Sequence, residues 1–115
     1  MMTYGYNLAT LVEQTQKLKQ VRKAELRMGD RVFVVTCNSI YSIQVLEGGC
    51  YLVSGGWFDR KGVSPMKTTI SGCTWGGSAI KLDIVAACGL RLEFGNRVVT
   101  SMIRKVFVLP NGSEN

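Results

Sequence analysis

The chain has 115 residues, of which 46% are hydrophobic and 19% are charged, and its formal net charge is +6. This length suits one domain with one core, and the hydrophobic fraction excludes a disordered chain. Histidine is absent, which removes the commonest general base and the commonest zinc ligand. No stretch is apolar enough to cross a membrane, and the first residues lack the pattern of a signal peptide. We therefore expect a cytoplasmic protein with no membrane partner.

Residues 7–22 have the pattern of an amphipathic helix. Asn7 is a favoured N-cap residue, and an apolar stripe at helical spacing follows it. The stripe consists of Leu8, Leu11, Val12, Thr15 and Leu18. It degrades at Lys19 and Arg22, so residues 1–28 are predicted to be an N-terminal helix followed by a basic linker. The helix would dock on its own domain or pack against another chain.

From Gly29 onward, short β-branched segments alternate with turns. The predicted strands are 31–36, 40–46, 50–54, 67–74, 79–86, 90–94, 97–101 and 103–109, of which the last is either separate or a continuation of the previous strand. Gly48-Gly49 and Gly95-Asn96 are read as two-residue hairpin turns. With these turns Ile43 faces Ser54, and Val99 points inward beside Leu92. The predicted fold is mainly β: a small antiparallel β-barrel, or a compact sandwich, of about seven to eight strands with one N-terminal α-helix. The β domain is expected to span residues 29–109, with a polar tail at 110–115.

The four cysteines, Cys37, Cys50, Cys73 and Cys88, include no closely spaced pair of the kind that structural zinc sites use. Without an export signal, we expect four free thiols that pack as small hydrophobic groups. Two disulfides would be the alternative if the chain were exported. The sequence predicts no bound metal and no cofactor.

Catalytic motifs are weak in this sequence. Ser78-Ala79-Ile80-Lys81 matches Ser-x-x-Lys, but it lies in a predicted strand and lacks the two boxes that accompany that motif in penicillin-recognising enzymes. Gly76-Gly77-Ser78 does not have the spacing of a phosphate-binding loop. The carboxylates form no obvious pair. We therefore predict that the protein is not an enzyme.

The best binding pattern combines aromatic and basic residues. Its members are Lys17, Lys19, Arg22, Lys23, Trp57, Arg60, Lys61 and Trp75. Exposed aromatic rings beside cations can stack bases and hold phosphates, although large aromatic rings also commonly close the ends of a core. The function favoured by this pattern is a non-catalytic module that binds an anionic partner, such as nucleic acid or an acidic protein. The alternative is a structural or interaction protein that forms homo-oligomers through the N-terminal helix.

Several short motifs resemble those of an uncharacterised set of small bacterial β-domain proteins. The motifs are Thr36-Cys37-Asn38-Ser39-Ile40-Tyr41, Ser54-Gly55-Gly56, Gly76-Gly77-Ser78 and Thr100-Ser101. In that set the pattern is Thr-x-Asn-Ser-x-Tyr, then Ser-Gly-Gly, Gly-Gly-Ser and Thr-Ser. The resemblance covers about residues 29–105, and Met102 stands where the set has proline. It implies a β fold, but it transfers no activity, cofactor or binding residue.

Overall fold

The computed structural model describes residues 16–76 and 79–111. Eleven strands form within these ranges: β1 (Gln16–Leu18), β2 (Gln20–Arg22), β3 (Arg31–Thr36), β4 (Ile40–Val45), β5 (Tyr51–Gly55), β6 (Met66–Thr68), β7 (Ile70–Gly76), β8 (Ala79–Lys81), β9 (Ile84–Ala87), β10 (Arg91–Phe94) and β11 (Val99–Leu109). One short helix, α1 (Gly56–Arg60), follows β5, and 3₁₀ turns cover Lys23–Glu25 and Glu47–Gly49. The prediction of a mainly β fold is therefore confirmed.

The strands are arranged in two antiparallel sheets. The larger sheet has the order β6-β5-β4-β3-β11-β10-β7-β8, and β1 pairs with one end of β11. The smaller sheet is the two-stranded ribbon β2-β9, which contacts β7, β10 and β11. Over the described residues the larger sheet is an open path from β6 to β8. The predicted closed barrel is thus not observed, and the observed architecture is a curved sheet with a ribbon packed on it.

The core lies between the larger sheet and the ribbon. Three aromatic rings, Tyr41, Phe58 and Phe94, meet at its centre, with Phe58 and Phe94 edge-to-face at a centroid distance of 5.0 Å. This geometry is the favoured one for aromatic pairs. All four residues of β9 are buried, whereas β2, its partner in the ribbon, buries only its central residue. The aromatic cluster anchors α1 to β4 and β10.

The N-terminal helix prediction is wrong over residues 16–22, where β1 and β2 form instead. In β2 the Val21 side chain is buried and its neighbours Gln20 and Arg22 are exposed, which is the alternation of a strand. Pairing with β11 and β9 supplies the backbone hydrogen bonds that a helix would otherwise provide. Local helical spacing was overridden by these long-range ladders. Residues 7–15 of the predicted helix lie outside the described part of the chain.

Two predicted strands are each broken into two. The segment 67–74 divides at Thr69 into β6 and β7, and 79–86 divides at Leu82-Asp83 into β8 and β9. Leu82 is 64% exposed because it lies in this turn. Helix α1 forms between the predicted strands 50–54 and 67–74. Strands 97–101 and 103–109, in contrast, join into the single long strand β11.

Both predicted hairpin registers are displaced by one residue. At the first hairpin Ile43 pairs with Val53, because three residues, Glu47 to Gly49, separate the bonded pair Leu46 and Cys50. At the second hairpin Glu93 pairs with Val99. A slip of one residue moves a side chain to the other face. Val99, which was expected to point inward, is therefore 46% exposed, whereas its neighbour Thr100 is buried.

The hydrogen bonds within the second hairpin turn account for the register of its two strands. The Arg97 N–H donates to the Phe94 carbonyl, and the Phe94 N–H donates to the Val98 carbonyl. Arg97 has φ 70, whereas Gly95 and Asn96 have no positive φ. This is a three-residue hairpin loop whose last residue is left-handed. Gly95 is required for a different reason: a Cβ atom there would overlap the Thr69 hydroxyl.

We predict opposite effects of substitutions at the two ends of this loop. Gly95→Ala should lower the free energy of unfolding by about 1–3 kcal/mol, because the new methyl group overpacks against Thr69. Arg97→Gly should raise it by about 1 kcal/mol, because glycine has no penalty in the left-handed region. Urea denaturation would measure both values. Arg97→Lys is the matched control and should leave the midpoint unchanged; an unchanged midpoint for Gly95→Ala would contradict the observed loop.

Candidate functional site

The β3–β4 turn is a network of small polar groups. The Thr36 hydroxyl accepts the Asn38 and Ser39 N–H groups at 3.3 and 3.0 Å, and it donates to the Ser39 carbonyl at 3.1 Å. A threonine at the start of a turn commonly satisfies the backbone in this way. The turn presents Cys37 and Asn38 to solvent.

Thr100 and Ser101 attach this turn to β11 and β10. The Asn38 N–H donates to Ser101 Oγ at 3.2 Å, across 63 positions of sequence. The buried Thr100 hydroxyl accepts the Leu92 N–H at 3.1 Å, where the β10–β11 register shifts, and donates to the Ser101 carbonyl. The bulge would otherwise leave that N–H without a partner. Thr100 and Ser101 thus hold two strand ends and a turn together.

Helix α1 is fixed to the same corner. Gly55 has φ 97, and a Cβ atom there would overlap the Ile40 carbonyl oxygen, so only glycine fits. The Tyr41 hydroxyl accepts the Trp57 N–H at 3.3 Å. The Arg60 guanidinium donates to Ser39 Oγ at 3.3 Å, which brings one cation to the turn. In this chain the Thr-x-Asn-Ser-x-Tyr, Ser-Gly-Gly and Thr-Ser motifs therefore meet at one structural corner.

A row of residues runs from this corner across four strand positions. The Cys37 N–H donates to the Met102 carbonyl at 3.0 Å, Met102 pairs with Arg91, Arg91 pairs with Thr74, and Thr74 pairs with Ile80. We call these five residues the transverse row. Neighbouring strands lie about 4.8 Å apart, so the row is about 19 Å long. It contains the exposed cation Arg91 and no carboxylate.

An aromatic–cation pair stands at the far end of the transverse row. Trp75 follows Thr74 and is 59% exposed. The Lys81 ammonium lies 5.4 Å from the centroid of its indole ring, within the range of a cation–π interaction. Among the described residues, Lys81 forms no ion pair with a carboxylate. The pair therefore offers a π face and a positive charge to solvent at the sheet edge.

The structure separates the eight residues of the predicted binding set. Trp57 is half-buried against the core, and its ring is edge-to-face with that of Phe58 at a centroid distance of 5.2 Å. Arg60 and Lys61 are exposed on and after α1, and Trp75 is exposed at the sheet edge. Lys17 lies on β1, and Lys19 follows it. Neither forms a described hydrogen bond with the β3–β4 turn, which Arg60 contacts.

Arg22 and Lys23 reach the β8–β9 turn. Arg22 pairs with Ile84, and the Lys23 N–H donates to the Asp83 carbonyl at 2.8 Å, two residues from Lys81. Two carboxylate-bearing residues lie close to them, since Glu25 accepts the Arg22 N–H and the Asp83 carbonyl accepts the Lys23 N–H. Asp83 is also two residues from Lys81, so its carboxylate does not distinguish the two sets of cations. The transverse row is the better candidate site because it ends beside the exposed Trp75.

Sequence reasoning missed Arg91 and Lys81. Both are exposed cations on strands: Arg91 precedes the buried Leu92, and Lys81 follows the partly buried Ile80. They are distinguished by their neighbours on adjacent strands: Arg91 pairs with Thr74, and Lys81 lies over the Trp75 ring. Lys81 lies near Trp75 because β7 and β8 are paired antiparallel strands. The position of Arg91 depends on a register that the turn pattern predicted incorrectly.

The four cysteines are free and differ in exposure. Cys37 and Cys88 are exposed, Cys50 is intermediate, and Cys73 is buried with its thiol 3.5 Å from the Val85 carbonyl. Burial raises the pKa of the Cys73 thiol from 9.0 to about 11. Burial also raises the pKa of the Tyr51 phenol, and the electrostatic effect of the neighbouring Cys50 raises this pKa further. Within 16–76 and 79–111, no three cysteine, aspartate or glutamate side chains are grouped as a metal site requires.

Among the helices of the described ranges, none has the length and hydropathy needed to cross a membrane. Comparison of the chain with models of protein families, with curated proteins and with solved structures found no match. The functional argument therefore depends on the residues of the chain itself.

The exposure of the thiols predicts an order of reactivity. With Ellman's reagent at neutral pH, Cys37 and Cys88 should react first and Cys50 more slowly, because the thiolate must form and be accessible. Cys73 should react only after denaturant is added. Mass spectrometry of the labelled protein would identify the order, and intact mass with and without reductant is the control. A decrease of about four mass units in the unreduced protein, equal to two disulfides, would refute free thiols.

The raised pKa of Cys73 predicts a loss of stability at alkaline pH. Between pH 9 and 11 the unfolded thiol has released its proton while the folded thiol keeps it. The unfolded state then binds fewer protons, so stability falls as pH rises through this window, by about 2 kcal/mol in total. Urea denaturation of the native chain and of Cys73→Ala would measure the two slopes. The slope should be smaller in Cys73→Ala and unchanged in the exposed-site control Cys88→Ala; equal slopes in all three would disprove the assignment.

Proposed function

We propose that the protein is a non-catalytic module that binds single-stranded nucleic acid along the transverse row. The observation that carries this proposal is the exposed Trp75 indole with the Lys81 ammonium 5.4 Å from its centroid. Stacking of bases on aromatic rings, with cations along the backbone path, is the common mode by which proteins bind single strands without sequence readout.

Trp75 is well suited to stacking because folding does not use its ring. A tryptophan contributes most to stability when its large apolar surface is buried, and Trp57 illustrates this case. Trp75 instead leaves more than half of its surface in water at the edge strand pair β7-β8. A base stacked on the free face would recover this apolar burial. The Lys81 charge would then lie beside the sugar-phosphate backbone.

Two further cations lie in or beside the transverse row, namely Arg91 and Arg60. Arg91 is one strand from Thr74, and Arg60 is held at the other end by its bond to Ser39. Between them lie the exposed Asn38 amide and the half-exposed Ser101 hydroxyl, both suited to phosphate oxygens. The neighbouring Asp59 carboxylate is occupied by the Gly55 N–H at 3.0 Å and by the Ser64 hydroxyl. These features support a path for several consecutive phosphates.

The net charge of +6 is consistent with an anionic partner. An acidic protein would satisfy the cations but would leave the Trp75 face without a partner of matching shape. A planar base satisfies both requirements. The exposed ring therefore favours nucleic acid over an acidic protein as the partner.

The test is fluorescence anisotropy with a labelled 12-nucleotide oligothymidine in low salt. Trp75→Ala should weaken binding about 5- to 150-fold, the range that loss of one stacked base produces. Arg91→Ala and Lys81→Ala should each lower the slope of log Kd against log salt by about 0.7, as expected for one phosphate contact on a single strand. In Trp57→Phe, where Trp75 is the only tryptophan, the oligonucleotide should quench the remaining fluorescence.

Lys67→Ala is the matched control, because Lys67 is an exposed cation on β6 at the opposite end of the sheet. It should leave the affinity nearly unchanged. Equal affinities of Trp75→Ala and Lys67→Ala, or no binding at 50 mM salt, would refute the proposal. The alternative, self-association through the N-terminal segment, would instead give a mass by light scattering that rises with protein concentration and changes little with salt.

A further inference from the structure

A polar cavity of about 400 Å³ lies on strands β3, β4 and β5, on the face of the sheet opposite the main core. Five side chains form its floor, and two residues of the loop that leads into β6 line its side. The floor consists of Arg31, Ser42, Gln44, Leu52 and Ser54, and the side consists of Ser64 and Pro65. We call it the serine cavity. Its volume lies within the range of sites for small molecules.

Strand pairing places the floor residues in two neighbouring rows. In one row Arg31 pairs with Gln44 and Gln44 pairs with Leu52, and in the other Ser42 pairs with Ser54. The two rows are two positions apart along β4 and β5, so all five side chains share one face of the sheet. Neighbouring strands lie about 4.8 Å apart, which places the backbone of Arg31 about 10 Å from that of Leu52. The register therefore sets a cation on one side of two hydroxyl groups.

Ser54 is the floor residue that points most clearly to a ligand. It is only 5% exposed, yet its hydroxyl forms no hydrogen bond with any described residue. In the described part of the chain, no side-chain oxygen is both sealed from solvent and without a partner. The small accessible part of Ser54 therefore includes the hydroxyl oxygen, which faces the cavity. A nearly buried hydroxyl of this kind needs a bond from water or from a ligand.

The other polar groups of the floor are also available for binding. Within 16–76 and 79–111, the Arg31 guanidinium forms no ion pair, and the side chains of Ser42 and Gln44 form no hydrogen bond. All three residues are half-buried. A guanidinium can bind a carboxylate or a phosphate through two parallel N–H···O bonds, which are stronger when partly removed from water. The Arg31 side of the cavity is accordingly suited to an oxyanion.

Ser64 gives the opposite side of the cavity a different character. Its hydroxyl donates to Asp59 Oδ1 at 2.5 Å, so toward the cavity the oxygen can only accept. The Gly55 N–H occupies one lone pair of this oxygen at 3.4 Å, which leaves the second for a ligand. The adjacent Asp59 carboxylate repels an anion, whereas a ligand hydroxyl can donate to Ser64. The cavity thus has an anion-binding side and a hydroxyl-binding side.

We propose that the serine cavity binds a small hydroxylated anion, with its phosphate or carboxylate on Arg31 and its hydroxyl groups on the serines. The Gln44 amide lies between these sides and can donate to either group, and Leu52 and Pro65 offer apolar surface to the carbon skeleton. A wholly apolar ligand would leave the Arg31 charge and the Ser54 hydroxyl without partners. This site is separate from the transverse row, because β3–β5 and β7–β8 lie toward opposite ends of the larger sheet.

Chemical shifts of backbone amides in ¹⁵N-labelled protein test this proposal. Ribose 5-phosphate and gluconate would each be added to about 20 mM at constant ionic strength, because a few hydrogen bonds to one small molecule give a Kd of about 1 mM. At least one of them should shift the amides of Ser42, Gln44 and Ser54 to saturation. Saturation by only one identifies the oxyanion as phosphate or carboxylate, and saturation by both shows that Arg31 accepts either.

Neutral ribose is the control for the charge of the ligand. It should bind at least about 10-fold more weakly than the anion that saturates, because it lacks the charge-assisted bonds to Arg31. Equal binding of ribose, or no saturation by either anion, would overturn the proposal.

Arg31→Gln should raise the Kd of that anion about 10- to 150-fold, the range expected for loss of hydrogen bonds to a charged group. Arg91→Gln is the matched control, because Arg91 is an exposed strand arginine outside the cavity, and its Kd should change by less than about twofold. Equal Kd values of the two variants would contradict the site. Arg31→Gln should keep the native affinity for oligothymidine, so failure of the serine cavity and failure of the transverse row give different results.

Ser54→Ala separates binding from a structural role. The hydroxyl forms no hydrogen bond with the described residues, so its removal should leave the urea midpoint unchanged or higher. The Kd of the anion should rise about 2- to 12-fold, as loss of one neutral hydrogen bond predicts. A lower urea midpoint together with an unchanged Kd would show that the hydroxyl serves the fold alone, and would refute its place in the site.

Discussion

The hydrogen-bonding of β11 is the constraint on which the rest of the structure depends. This strand pairs with β3 and β1 over one half and with β10 over the other. Between the halves, the register against β3 shifts at Arg104, so that Ile103 and Val106 both point into the core. The Ile103 backbone exchanges two hydrogen bonds with Gly89 and Leu90, at 2.8 and 2.7 Å. The bulge thus bends the sheet and fixes the ribbon to it at the same point.

The polar corner follows from this bend. Where β11 turns away from β3, the ends of several strands would leave backbone groups without partners, and buried groups of this kind are costly. The side chains of Thr36, Thr100 and Ser101 satisfy them. The same contacts bring the β3–β4 turn beside Met102 and so create the transverse row. The motifs that give the sequence its resemblance to other small β proteins are therefore explained by architecture, while the binding residues that we propose lie beside them.

The central strands β3 and β11 carry buried apolar side chains on both faces. Val32 and Val34 contribute to the main core, whereas Phe33 packs with Phe107 and Leu109 on the reverse side. The ribbon β2-β9 contacts β11 and its neighbours β10 and β7. Trp75, in contrast, is exposed on β7 beside the edge strand β8, where its ring is accessible to a partner.

The sequence by itself determined the β class and the position of several strands. Arg31–Thr36 was predicted with the bounds that β3 has, and 40–46 and 90–94 differ from β4 and β10 by one residue at one end, because β-branched residues alternate with clear turn signals there. It also indicated Trp75 as a binding residue, since exposed aromatic rings beside cations can stack bases. The absence of histidine made acid–base catalysis an unfavoured function.

Only the tertiary structure decided the registers, the fate of residues 16–22 and the neighbours of Trp75. Each hairpin loop has one residue more than its glycine pattern predicted, and that residue reverses which side chains are buried. Residues 16–22 have helical spacing, but β11 and β9 offer them ladders that local propensity does not encode. Arg91 and Lys81 became candidate site residues through lateral pairing alone. Contacts between strands distant in sequence depend on register, and register is set by the packing of the whole sheet.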